Sequence, residues 1–259
     1  MPARQPDGEP APSDGALPEQ ALAELPGRAL GVYVHVPFCL TRCGYCDFNT
    51  YTAGDRPAFV RAAIAEVALA ARVLGDAAPP VSTVFLGGGT PTILDPADLG
   101  AILRAIDEHL GLARDAEITV EANPDTVDRT ALAALRELGA TRASFGVQSV
   151  RPHVLAALDR AHDADRALEA IAEARGAGFD HVSADLIYGT PGETADDWRA
   201  SLDAAVGAGV DHVSTYGLTI EPGTRLAARV RRGDLPAPDP DAMADRYAAA
   251  DDRLRAAGL

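Results

Sequence analysis

Gly31-Val-Tyr33-Val-His35-Val36-Pro-Phe-Cys39-Leu-Thr-Arg-Cys43-Gly-Tyr45-Cys46-Asp47-Phe48 is the stretch on which the reading of this chain turns. Its first part, Gly31–Val36, is a short β-rich run that reads as a strand. Its second part holds all three cysteines of the chain, spaced Cys-x-x-x-Cys-x-x-Cys. An odd number of cysteines packed so tightly cannot form a disulfide framework, and a reducing, cytoplasmic location is expected. Three thiolates on one short loop can bind three irons of a four-iron cluster and leave the fourth iron open. The alternative is a zinc site with His35 or Asp47 as fourth ligand. Zinc loops usually pair two Cys-x-x-Cys knuckles, and no second knuckle exists here.

Outward from this loop, short β-rich runs alternate with longer helical patterns. The further strand candidates are Val81–Leu86, Glu117–Glu121, Arg142–Val147, His181–Ile187 and His212–Leu218. Between them, Phe59, Ala63, Val67, Ala71 and Leu74 mark one apolar helical stripe, and Leu132, Leu135 and Leu138 mark another with Gly139 as its C-terminal cap. Asp95-Pro96, Asp163 and Thr194-x-x-Asp197 open three more helices, and a last acidic, alanine-rich helix starts near Asp241. Strands alternating with helices predict a parallel sheet with right-handed crossovers, its strands apolar on both faces. Gly87–Thr90, Glu121, Gln148, Asp185 and Tyr216 all fall near strand C-termini. In a barrel those ends converge on one mouth, so the expected fold is α/β, a partial six-stranded TIM-like βα barrel, rather than a doubly wound sheet. Residues 1–28, rich in proline and alanine, read as a flexible tail before a core domain at 29–259.

Composition narrows the function. The 259 residues carry 38 acidic and 23 basic side chains, a formal charge of −15. Nucleic-acid partners need a basic face, so RNA modification is disfavoured. No apolar run approaches the roughly 18 residues of a membrane span, and the N-terminus has neither the basic nor the apolar region of a secretory signal. Every basic residue is arginine, which excludes a Schiff-base lysine.

Several residues carry a functional and a plainer reading side by side. In Gly87-Gly88-Gly89-Thr90-Pro91 the glycines would let backbone approach a ligand closely, or would simply form a tight strand-to-helix turn. Glu121 would cap a loop or touch a ligand, and Gln148 would satisfy backbone at the mouth or do the same. Arg160, in Leu-Asp-Arg-Ala-His, reads by itself as a solvated helix residue. Asp185 stands where a strand should be apolar, and a buried carboxylate needs partners, which favours a functional role. Tyr33 and Tyr45 flank the cysteine loop, where they would pack on a nucleoside or serve as core aromatics.

Taken together, Tyr33 through Phe48 and the motifs after it resemble the radical S-adenosylmethionine (SAM) superfamily over about residues 30–225. Within it the chain is similar to the group of oxygen-independent coproporphyrinogen III oxidase and the radical SAM heme chaperone. The resemblance implies a [4Fe–4S] cluster on Cys39, Cys43 and Cys46. It also implies SAM contacts from Gly88, Gly89, Thr90, Glu121, Gln148, Arg160 and Asp185, with Tyr33 and Tyr45 beside the nucleoside. The implied chemistry is reductive cleavage of SAM to a 5′-deoxyadenosyl radical, fed by a flavodoxin- or ferredoxin-like donor.

Two functions follow from the resemblance. In the oxidase the radical starts decarboxylation of coproporphyrinogen propionates to vinyls, and the cysteine loop carries a fourth cysteine two residues after the third. Here that place is Phe48, and Cys46-Asp47-Phe48 is the heme chaperone's pattern. The expected function is therefore that of the chaperone, which binds heme and passes it to a recipient protein. Its heme-associated His-Asn-x-x-Tyr-Trp segment has no counterpart here, so the C-terminal continuation is expected to be missing from this chain.

Overall fold

A computed structural model of the chain describes residues 10 and 12–259. Six strands, β1 (Leu30–Val36), β2 (Val81–Gly88), β3 (Leu112–Ala122), β4 (Arg142–Gln148), β5 (His181–Tyr188) and β6 (His212–Gly217), lie side by side in chain order. Every adjacent pair is parallel, and β1 and β6 form the two open edges. The helices are α1 (Glu19–Ala23), α2 (Arg56–Leu74), α3 (Pro96–Leu110), α4 (Arg129–Glu137), α5 (Pro152–Ala157), α6 (Ala164–Gly176), α7 (Ala195–Gly207), α8 (Arg225–Arg232) and α9 (Pro240–Ala256). The expected partial barrel is the fold observed.

Helix starts follow local chemistry. The Asp55, Asp128 and Asp163 carboxylates accept from the amides of Ala58, Ala131 and Arg166, and Thr194 and Asp197 close a reciprocal capping box. Proline stands at the first turn of α3, where its missing N–H costs nothing. The α2 stripe is turned slightly from expectation: Val60 and Val67 are fully buried, with Phe59, Ala63 and Ile64 packed beside them.

The strands are not apolar on both faces, as the sequence suggested. Ala143, Phe145 and Val147 of β4 and Val182, Ala184 and Leu186 of β5 are buried against the helices. The alternate residues Ser144, Gly146, Gln148, Ser183 and Asp185 form the inner face, in register with Glu121 on β3 and Ser214 on β6. A half-barrel has no opposing strands to fill its interior with apolar side chains, so the inner face can be polar provided its groups pair. They do: Ser183 Oγ donates to Ser144 Oγ (2.7 Å), and Ser144 Oγ to Asp185 Oδ2 (3.1 Å).

Two further differences concern short elements. α1 and a turn at 13–14 stand inside the segment read as a flexible tail, though α1 buries no residue; residues 1–9 and 11 of that segment lie outside the described residues. α5 and α8, six and eight residues long, are too short for a periodic apolar signal. They matter nonetheless, because Val154, Leu158, Ile187, Leu218 and Leu226 form a second apolar cluster that also holds Tyr45.

Trp198 on α7 joins the helical layer to the sheet. It is 1% exposed, its ring centroid lies 5.4 Å from that of Tyr188, and its indole N–H donates to the Arg246 carbonyl on α9 (2.9 Å). Trp198→Ala removes both the aromatic volume and that bond. The expected loss is about 3–5 kcal/mol, read from urea unfolding; a loss below about 1 kcal/mol, the scale of a surface change, would show that α7 and α9 do not pack this way.

Candidate functional site

At the C-terminal ends of the strands lies a cavity of about 390 Å³. All three cysteines, Gly88, Gly89, Thr90, Glu121, Gln148, Arg160, Asp185 and Tyr45, eleven of the twelve site residues expected from the sequence, line its wall. Tyr33 does not. It points out from β1, 57% exposed, stacked on Phe85 with ring centroids 6.0 Å apart.

The cysteine loop is fixed mainly by backbone. Cys39 N–H donates to the Tyr51 carbonyl (3.0 Å) and Tyr51 N–H to the Pro37 carbonyl (2.7 Å), closing the loop on itself. Gly44 N–H donates to Leu158 O (3.1 Å), and Gly44 O accepts from Leu226 N–H (2.8 Å), which ties the loop to α5 and α8. Phe38 is buried edge-on against Phe59, at 5.5 Å and 84°. Burial, followed by the neighbouring thiolates Cys46 and Cys43, raises the Cys39 thiol above its usual range, against the hydroxyls of Thr90 and Thr50. Arg160 Nη1–H donates to Cys43 Sγ (3.4 Å).

His35 is not a spare metal ligand. Its Nε2–H donates to the Asn49 carbonyl (3.0 Å), which leaves Nδ1 to accept from the Tyr33 hydroxyl (3.0 Å), so both ring nitrogens are used. Among the described residues, no three His, Cys, Asp or Glu side chains converge on a point that would hold a single metal ion. The zinc alternative with His35 therefore lacks its fourth donor. Three thiols set around a cavity fit a cluster that takes one thiolate per iron.

The glycine run is required by the protein's own packing. A Cβ on Gly89 would stand 2.5 Å from the Phe38 carbonyl oxygen, and one on Gly88, where φ is +109°, would strike the His35 ring at 2.5 Å. The closeness that demands glycine is to the protein's own β1 and cysteine loop. Gly88 N–H donates to Glu121 Oε2 (3.0 Å). Burial pushes Glu121 up to about 7, helped by the Asp185 charge and opposed by that bond. Burial likewise raises Asp185, opposed by the hydroxyls of Ser214 and Ser144.

Two groups in this wall lack partners. Gln148 Oε1 and Arg160 Nε are buried with no hydrogen bond. Gln148 has φ +64°, rare for a residue with a side chain, and the β4–β5 register shifts beside it. Arg160 is no solvated helix residue; its Nη2–H donates to the Gly146 carbonyl (2.8 Å). Both residues line the cavity, and an unpaired acceptor and an unpaired donor in its wall fit a ligand carrying both ammonium and carboxylate groups, as the methionyl end of SAM does. Ser144, Gly146, Asn123 and Phe48 also line the wall. The alternation of Ser144, Gly146 and Gln148 on β4 was the available signal for the first two.

A family model described as the radical SAM superfamily matches residues 33–205. The chain is 55% identical over 243 residues to the heme chaperone HemW of Mycobacterium tuberculosis, covering 92% of this chain and 62% of that protein. It is 38% identical over 250 residues to the mitochondrial radical S-adenosyl methionine domain-containing protein 1 of Mus musculus, covering 96% and 56%. Among solved structures, coproporphyrinogen III oxidase (HemN) from Escherichia coli matches with a TM-score of 0.79 and 29% identity, over 92% of this chain and 55% of that one. The chain thus spans less than two thirds of the length of these relatives. With the match running from the first strand through the cysteine loop and on past Trp198, this chain belongs to the radical SAM superfamily, which implies a [4Fe–4S] cluster and SAM as its cofactors.

Proposed function

We propose that Cys39, Cys43 and Cys46 hold a [4Fe–4S] cluster, that SAM lies beside it, and that the protein is a heme chaperone which binds heme and delivers it to a recipient protein. The carrying observation is the cavity where three thiols meet the unpaired Gln148 Oε1 and Arg160 Nε. Gln148 would take the ligand's ammonium group and Arg160 its carboxylate, while Thr90 and the Gly88–Gly89 backbone border the same space. Glu121 and Asp185 would accept from hydroxyls, and Tyr45 would pack beside the nucleoside. The bound pair would supply one-electron reductive cleavage of the sulfonium, with a flavodoxin- or ferredoxin-like protein as electron source. The residues' own work is to bind, orient and keep water out. Free thiols and a cluster suit the cytoplasm.

The chaperone reading is supported by the 55% identity to a protein described as a heme chaperone, and by Phe48. Phe48 is 60% exposed and lines the mouth at the place where the oxidase group carries its fourth cysteine. The oxidase reading, in which coproporphyrinogen III is the substrate, has the similarity to the E. coli oxidase structure in its favour. No helix among the described residues is long and apolar enough to cross a membrane.

Three outcomes follow. Anaerobic reconstitution with iron and sulfide gives about four irons per chain, and Cys43→Ala abolishes the charge-transfer absorbance; fewer than three irons in the parent chain, or a full cluster in the variant, overturns the cluster. The protein mixed with heme develops a stoichiometric Soret band and leaves coproporphyrinogen III unconsumed under reductant and SAM, whereas its consumption establishes the oxidase. Glu121, held at about 7 instead of its usual 4.5, is protonated in the free site at mildly acid pH. SAM affinity measured by calorimetry therefore rises with pH through about 7 as the carboxylate becomes an acceptor. Glu121→Gln binds more weakly and flattens that rise; an unchanged pH profile removes Glu121 from the site.

A further inference from the structure

Arg160 is placed to do more than hold a ligand's carboxylate. Its three nitrogens divide the surroundings: Nη1–H is on Cys43 Sγ (3.4 Å), Nη2–H is on the Gly146 carbonyl (2.8 Å), and Nε is buried and unpaired. The Gly146 carbonyl anchors the fork to β4, and a Cβ on Gly146 would come within 3.3 Å of Nη2, so glycine there leaves the fork its place. The backbone before Arg160 is fixed as well. Asp159, at φ +54°, pairs with Arg225 (3.4 Å) and Arg229 (3.5 Å) of α8, and its carboxylate fills the space where a side chain on Gly44 would stand. The guanidinium is thus held by β4, and the backbone that carries it is held by α8 through Asp159.

We infer that Arg160 raises the reduction potential of the cluster through its hydrogen bond to the Cys43 sulfur, and so links the cluster to whatever carboxylate its Nε binds. The inference rests on the cluster reading given above. A hydrogen bond from a cation withdraws electron density from the thiolate, and the added electron of the reduced cluster is better tolerated beside a positive charge. The charge is permanent, because an arginine stays protonated at any working pH. The whole chain carries −15, which disfavours a further negative charge, so one buried guanidinium at the sulfur acts against the overall field.

The test is an EPR-monitored redox titration of the reconstituted chain without SAM. Arg160→Met is expected to shift the midpoint negative by about 59 mV, a tenfold change in the one-electron equilibrium. Arg160→Lys, which keeps the charge and a single donor, is expected to shift it by less. Iron content and circular dichroism accompany each titration. A parent chain that takes up no cluster overturns the underlying cluster reading. A loaded Arg160→Met chain with the parent's midpoint overturns this inference alone. If Arg160→Met does not load, Arg160→Gln, which removes the charge and keeps a polar side chain, decides: a negative shift supports the inference and a parent-like midpoint overturns it.

Discussion

How closely the end of β2 lies against the chain leaving β1 is the constraint on which the mouth depends. Gly89 N–H donates to the Val36 carbonyl (2.8 Å) and Thr90 N–H to the Phe38 carbonyl (2.7 Å), continuing the β1–β2 pairing one step past the strands. That step fixes the backbone directly before Cys39 and brings the Thr90 hydroxyl within 3.8 Å of its sulfur. No residue with a side chain fits at Gly89, since its Cβ would overlap two carbonyl groups of the neighbouring chain. Position of the first thiol, path of the loop and direction of Gly88 N–H toward Glu121 all descend from this one seam.

The same seam explains why two carboxyl groups tolerate the cavity. Glu121 receives the Gly88 amide, and Asp185 receives the Ser144 hydroxyl, itself supplied by Ser183. Both are nonetheless held above the usual carboxylate range by burial, and the Asp185 charge raises Glu121's cost of ionising further. The inner wall is therefore short of positive charge. Arg160 is the cation within hydrogen-bonding reach of a cysteine, and in a strongly acidic chain its placement governs the local field more than the net charge does.

What the sequence revealed and what it hid divide along physical lines. Strands were legible because Val84, Val120, Phe145 and Leu186 share one buried face, and caps such as Asp163 and Thr194 act within a single turn. The cysteine loop was legible because its ligand spacing is local. Arg160 was legible only through the resemblance: it meets Cys43 across 117 residues of chain, a contact no window of sequence contains, so by itself it reads as a solvated helix residue. The placing of Tyr33 was not legible. Tyr33 lies next to the loop in sequence and on the sheet face that carries Glu121, but its ring stacks on Phe85 and its hydroxyl is spent on His35, so it does not line the mouth. The glycine run reads as a place of close approach, and the chain itself is one partner in that approach.

The two sides of the mouth are held by different means. On the cysteine side the bonds are backbone to backbone and leave little freedom. On the far side, the turn after β5 is held by a buried ion pair: Arg246 Nε of α9 lies 3.0 Å from Glu193 Oε2, and that oxygen also accepts from Gly189 N–H (2.8 Å). Met243 of the same helix fills the space beside Gly189 and Gly217, which follow the strand residues Ile187 and Tyr216 in the cavity wall. A buried ion pair contributes little net stability against apolar replacement, but losing one partner costs about 3–5 kcal/mol. The far wall is thus specified by side chains of one helix, where a change in α9 is felt directly, while the thiol side is insulated from it by its ladder of amides. A scaffold built so can keep one cofactor geometry constant and let the opposite wall vary with the partner it serves.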